Sequence, residues 1–182
     1  ATSITGAALT TVTVVGGGAA TIDNTAADGT TSTGTTLTAV TLTGDAAATL
    51  KGAAINVLTL SGQGTGGTAR QIDFTNGTTT SATINAAGTG YAADGTTVKS
   101  TIFNETTDKL TALTVNTTAK SNMNISGSSL VRTVTFTGAG ALTLTGGFGA
   151  AVTTIAGSAA TGALVLGTLD AAAITVATGS GN

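Results

Sequence analysis

Apolar residues recur along this chain in one short figure: an apolar residue, two spacers, then apolar-Thr-apolar. It reads Leu9-Thr-Thr-Val12-Thr-Val14, Leu37-Thr-Ala-Val40-Thr-Leu42 and Ile55-Asn-Val-Leu58-Thr-Leu60. It returns as Leu110-Thr-Ala-Leu113-Thr-Val115 and Val131-Arg-Thr-Val134-Thr-Phe136, with a degenerate copy at Val152-Thr-Thr-Ile155. The last apolar-Thr-apolar triplet alternates with period two, as in a strand with one buried face. A second, shorter strand follows each copy, at Thr21-Ile22, Thr49-Leu50, Gln71 to Phe74, Asn122 to Ile125, Leu142 to Leu144 and Leu164 to Leu166. The chain then closes on Ile174-Thr-Val176, and Gly-containing turns separate the strands.

A single strand of this kind cannot bury its apolar face, but stacked repeats can bury one another. The expected fold is therefore all-β, a right-handed parallel β-helix of about seven coils, some 35 Å long at the usual strand spacing. It forms a single domain over residues 1–182, read as a segment of a larger chain. One interior column is expected from Val12, Val40, Leu58, Leu113, Val134 and Ile155, with Thr13, Thr41, Thr59, Thr114 and Thr135 as an outer Thr ladder. The competing architecture is an antiparallel sandwich. A sandwich does not require the figure to repeat, and the tight-hairpin pair Asn-Gly occurs only at Asn76-Gly77, with Asp28-Gly29 and Asp94-Gly95 as its nearest relatives.

Residues 77–109 break the beat and hold Tyr91, Asp94, Lys99, Phe103, Glu105, Asp108 and Lys109. They are read as an elongated coil or an irregular insertion. Insertions in solenoids often mark the contacting face, so Tyr91, Asp94, Lys99, Phe103, Glu105 and Asp108 are the candidate partner contacts.

Composition narrows the field. Hydrophobic residues make up 41% of the chain and charged residues only 8%, against about 25% charged in an ordinary domain. Disorder needs low hydrophobicity and high net charge, so this chain is expected to fold. It has 27 Gly and no Pro, which suits a ladder from which no donor is removed. Thr and Val favour strands through their branched Cβ.

With six Lys and Arg residues in all and a net charge of −2, there is no basic patch for nucleic acid. No apolar run approaches the length of a membrane span. Chemistry is equally thin. His and Cys are both absent, which removes the commonest general base and the thiol nucleophile. Among the acids only Glu105 and Asp108 are close, and paired carboxylates would be needed for glycoside hydrolysis. No catalytic role is expected.

Calcium needs only hard oxygen ligands, and Asp23, Asn24 and Asp28 lie within one turn-like stretch. The same residue types are also ordinary turn formers. Asn-x-Ser/Thr triplets at Asn76, Asn104, Asn116 and Asn124 carry no glycosylation claim in so Thr-rich a chain. Paired Thr-x-Thr positions such as Thr41 with Thr43 raise ice binding as a minor alternative. Thr is equally the fitting outward residue beside another Thr.

In Leu110-Thr-Ala-Leu-Thr-Val115, Val134-Thr-Phe-Thr-Gly138 and Ala141-Leu-Thr-Leu-Thr-Gly146, the chain resembles the Thr/Ala/Gly-rich β-solenoid of bacterial S-layer proteins. Within that group it is most similar to those exported by type I secretion in Gram-negative bacteria, whose Gly-rich repeats bind calcium. The resemblance implies an extracellular, self-assembling coat on the bacterial cell surface, with calcium as cofactor and lipopolysaccharide held through other domains. The full calcium-binding nonapeptide is missing here; Ala177 to Asn182 matches only its opening. Repeat-rich secreted adhesins, which bind a cell-surface or glycan ligand, share this texture and are the alternative. Strand-like sequence at both ends, without the Lys, Pro or helix that blunts an edge, leads to the expectation that contacts run through the ends and through 77–109.

Overall fold

A computed structural model describes residues 1–16, 18–24, 34–44, 47–62, 69–75, 78–92, 94–105, 109–169 and 174–180. Strands, numbered in chain order, alternate between two parallel sheets. The first sheet holds β1 (Thr2–Thr5), β3 (Ala19–Asp23), β5 (Ala47–Lys51), β7 (Arg70–Thr75), β9 (Thr101–Glu105), β11 (Ser121–Ser128), β13 (Leu142–Leu144) and β15 (Leu164–Val165). The second holds β2 (Thr11–Val15), β4 (Ala39–Thr43), β6 (Val57–Ser61), β8 (Ser81–Ala87), β10 (Ala112–Ala119), β12 (Thr133–Gly138), β14 (Thr154–Ala160) and β16 (Thr175–Ala177). Each sheet runs in simple odd or even order, so every coil contributes one strand to each. This is a right-handed parallel β-helix, and its eight rungs include two strands from residues 77–109.

The recurring figure now has a physical meaning. Its last two apolar residues point inward from a strand of the second sheet, as Val40 and Leu42 do on β4. Its first apolar residue stands three positions earlier, a spacing that a straight strand would send outward. The chain bends between them. Thr38 N–H bonds to Thr10 C=O one rung away, and Asn56 and Val57 N–H both bond to Thr38 C=O. Leu37, Ile55, Leu110, Val131 and Val152 therefore turn in at successive corners and are buried there.

Between the two sheets the core is thin and mostly aliphatic. Ile22, Leu50 and Phe74 stack from the first sheet, and Leu42, Leu60 and Ala86 from the second. All six residues of the expected interior column are buried, but they do not form one column. Val12, Val40 and Leu58 continue through Ile84 to Val115 and Phe136. Leu113 instead lies between Ala82 and Val134, in a column that runs on to Ile155. The Thr ladder splits in the same way, passing from Thr59 to Asn85 and Asn116, while Thr114 and Thr135 follow Thr83. The cause is β8. It enters the sheet between β6 and β10, and its small inward residues Ala82 and Ala86 hide its alternation in the sequence.

The later corners are tight because backbone meets backbone. Gly138 has φ +94°, and a Cβ on it would run into the Thr117 carbonyl. Gly140 lies against the backbone of Ala119 and beneath Gly162. Only glycine fits where successive corners stack this closely.

Candidate functional surface

Two of the three candidate calcium ligands, Asp23 and Asn24, turn in opposite directions. Asp23 ends β3 on the outer face and pairs with Lys51 at 3.5 Å. Asn24 turns the other way and is 0% exposed. Its Nδ2 donates to Gly6 C=O at 2.7 Å and its Oδ1 accepts from Leu37 N–H at 3.3 Å. Its amide thus fastens the corner between β3 and β4. Asp28 lies outside the described residues, as does Asp108. Among the described residues no three acidic, His or Cys side chains cluster.

The candidate partner contacts divide by strand parity. Phe103 and Glu105 sit at inward positions of β9 and are buried. Phe103 stacks on Phe74 with ring centroids 6.5 Å apart, and Glu105 follows Phe74 in its column and precedes Ser128. The same alternation that turns half-buried Asn104 outward turns them inside.

Tyr91, Asp94 and Lys99 instead belong to an excursion between β8 and β9. Residues 88–92 and 94–100 fold back on themselves through an antiparallel bridge between Tyr91 and Val98. Ala92 N–H bonds to Thr97 C=O at 2.9 Å, and Lys99 N–H bonds to Gly90 C=O at 3.0 Å. At the tip, Asp94 Oδ2 accepts from the Thr97 hydroxyl, and its Oδ1 accepts from the Thr97 and Thr96 amides. Those hydrogen bonds, the Thr97 hydroxyl first, hold the Asp94 carboxyl well below the usual carboxylate range.

The base of this hairpin is clamped to the solenoid. Asn122 N–H bonds to Thr89 C=O at 2.9 Å. Gly90, at φ +83°, lies so close to the Asn122 carbonyl that a Cβ would collide with it. Ser100 and Thr145 hydroxyls share a bond of 2.7 Å. Tyr91 is buried beneath Lys120, whose Nζ stands 4.5 Å from the ring centroid, within cation–π range. The tip residues Asp94 to Val98 are exposed, Val98 by 52%.

Arg70 is the residue that pattern reading missed. It is 0% exposed, at an inward position of β7. Its Nη2 donates to Leu42 C=O at 3.0 Å, and its Nη1 donates to Thr89 Oγ1 at 3.0 Å and to Gly62 C=O at 3.3 Å. Thr89 Oγ1 in turn lies 2.6 Å from Thr101 Oγ1. One guanidinium thus ties the ends of β4 and β6 to the foot of the hairpin. The signal was parity: Arg70 stands two and four residues before the inward Ile72 and Phe74.

The outer faces carry polar ladders. On the first sheet Asp73 accepts from Gln71 at 2.9 Å and from Asn104, its neighbour in register, at 3.0 Å. On the second, Asn116 bonds to Asn85, and Thr137 donates to Asn116 Oδ1 at 3.2 Å. A shallow groove of about 260 Å³ beside this ladder is lined by Asn56, Ser81, Thr83 and Thr114 over Val57, Ala82 and Ala112. No acidic or basic side chain lines it. No helix among the described residues is long and apolar enough to cross a membrane.

No protein-family model matches the sequence, and no curated protein and no solved structure matches the chain.

Proposed function

We propose that this chain is a structural, self-assembling element of a bacterial cell-surface coat or extracellular filament, without a catalytic role. One observation carries the reading: rungs stack in parallel through both sheets, and the outer columns of the second sheet are occupied mainly by Thr, Ser, Ala and hydrogen-bonded Asn. Such a stack is weakly charged and repeats one unit rung after rung, as a building block requires. An all-β solenoid of this kind is consistent with a structural, repeat-based protein. The resemblance to S-layer solenoids supports an extracellular setting, with calcium acting in assembly and lipopolysaccharide held elsewhere in the parent protein.

The adhesin reading is favoured by a different observation, the clamped hairpin whose tip stands out from the solenoid at Asp94 to Val98. Electron microscopy of the purified protein with and without calcium separates the two. Ordered sheets or filaments support the structural element. Dispersed particles in both conditions sink it and favour the adhesin.

A further inference from the structure

The two sheets differ in what they turn outward. No Asp, Glu, Lys or Arg stands in any strand of the second sheet, from β2 to β16. The first sheet carries Asp23, Lys51 and Asp73 at outward positions. Outward parity on the second sheet thus brings small neutral side chains to the surface. Thr13, Thr41 and Thr59 share one column with Asn85, Asn116 and Thr137. Beside it run Thr83, Thr114 and Thr135.

Part of that polarity is already satisfied within the face. Thr43 and Ser61 share a hydroxyl bond of 3.0 Å. Asn116 donates to Asn85 at 3.0 Å, and Thr137 donates to Asn116 at 3.2 Å. Side chains bonded to one another can leave water without stranding a donor or an acceptor. Covering the first sheet would instead strip its ions of water.

We propose that two copies of this chain pack together through the outer faces of their second sheets, about a two-fold axis. This rests on the self-assembly reading above and specifies its contact. Any charge that a partner laid on this face would lose its water and gain no counter-charge, so the partner's surface must be neutral too. The second sheet of another copy meets that condition along its whole length. An isologous contact is self-complementary, so hydroxyls of one Thr column meet those of the other copy.

The area suffices for a reversible contact. Eight strands about 4.8 Å apart and about 17 Å long make a face of about 600 Å² per copy. Two such faces bury about 1,200 Å², the lower bound of specific interfaces. The pair should therefore form and part with concentration.

The test is sedimentation equilibrium of the 182-residue chain over a range of concentrations, beside variants checked for their β-sheet circular dichroism. Thr114→Lys and, one rung on, Thr135→Lys each set a charge near the middle of the neutral face. Both copies then bring the same charge to the contact. Thr49→Lys sets that charge on the outer face of the first sheet. The expected result is a monomer–dimer equilibrium for the parent and Thr49→Lys. In Thr114→Lys and Thr135→Lys the dissociation constant should rise about a hundredfold or more.

A second measurement adds no charge. The chain has no Cys, so Thr114→Cys supplies a single thiol. A short bismaleimide should link two Thr114→Cys chains and leave two Thr49→Cys chains unlinked. A parent that associates while both Lys variants associate equally well overturns the face-to-face contact and leaves self-assembly standing. Linking of Thr49→Cys but not of Thr114→Cys does the same. A parent that stays monomeric with and without calcium overturns both, and leaves this face to a foreign neutral partner.

Discussion

Asn116 donates its side-chain amide to Oδ1 of Asn85, its in-register neighbour on the next rung, at 3.0 Å. Its own Oδ1 accepts from Thr137. Three rungs are thus joined outside the backbone ladder. Replacing Asn116 with Ala removes both bonds from a half-buried position. At roughly 1 kcal/mol per net hydrogen bond, the variant is expected to lose about 1–2 kcal/mol. Chemical denaturation checks this, and the matching Asn85→Ala loss should be smaller, because Asn85 takes part in only the first of those two bonds.

Leu113 is 1% exposed and packed between Ala82 and Val134. Leu113→Asp would bury a carboxylate between the apolar side chains of Ala82 and Val134, so the group must stay neutral or open the coil. The expected loss is several kcal/mol, about 3–5 by analogy with broken buried pairs. Thr114→Asp, one residue away on the outer face, should cost far less. Equal stability of the two variants in a denaturant titration would show that the inward parity of β10 is misplaced.

Arg70 holds Leu42, Gly62 and Thr89 at once. Arg70→Met keeps much of the volume but takes the donor from the buried Leu42 carbonyl and Thr89 hydroxyl, at about 1–3 kcal/mol for each unsatisfied group. The hairpin should loosen along with the corner. Tyr91 is the sole tyrosine and the chain has no Trp, so its fluorescence reports on this alone. Collisional quenching of Tyr91 is expected to rise in Arg70→Met under conditions where the sheets are still folded.

Acid should spare the hairpin tip longest. The Asp94 carboxylate is favoured in the folded chain by the Thr97 hydroxyl and the Thr97 and Thr96 amides. A carboxyl depressed on folding contributes stability that is present above its unfolded value, roughly pH 4. That contribution is lost only as pH falls through the lower folded value. Followed by carbon NMR, the Asp94 carboxyl should therefore be among the last to protonate. In Thr97→Val, which removes the hydroxyl, its midpoint should move up toward the ordinary range. An Asp94 resonance that titrates like a free side chain would mean the turn is not closed in solution.

Much of this molecule was legible in the sequence because strand parity is local. Alternation alone placed Val12, Leu58, Leu113 and Val134 inside and Thr13, Thr59 and Thr135 outside, and the recurring figure implied a parallel solenoid rather than a sandwich. The same rule, applied to β9 and β7, would have turned Phe103, Glu105 and Arg70 inward. It was masked there, because a polar residue in an inward register position reads as surface until its partners are known.

Register between rungs is a different matter. It depends on which strands become neighbours, and β8 inserts Ala82, Ile84 and Ala86 where the apolar figure falls silent. Small side chains give a weak hydrophobic signal but fill a thin core well, so only packing decided that Leu58 meets Ile84 and Leu113 meets Ala82. The hairpin at 88–100 likewise owes its place to contacts distant in sequence, Thr89 with Arg70 and Gly90 with Asn122. Periodicity determines which way each side chain points; the stacked coil alone determines what it points at.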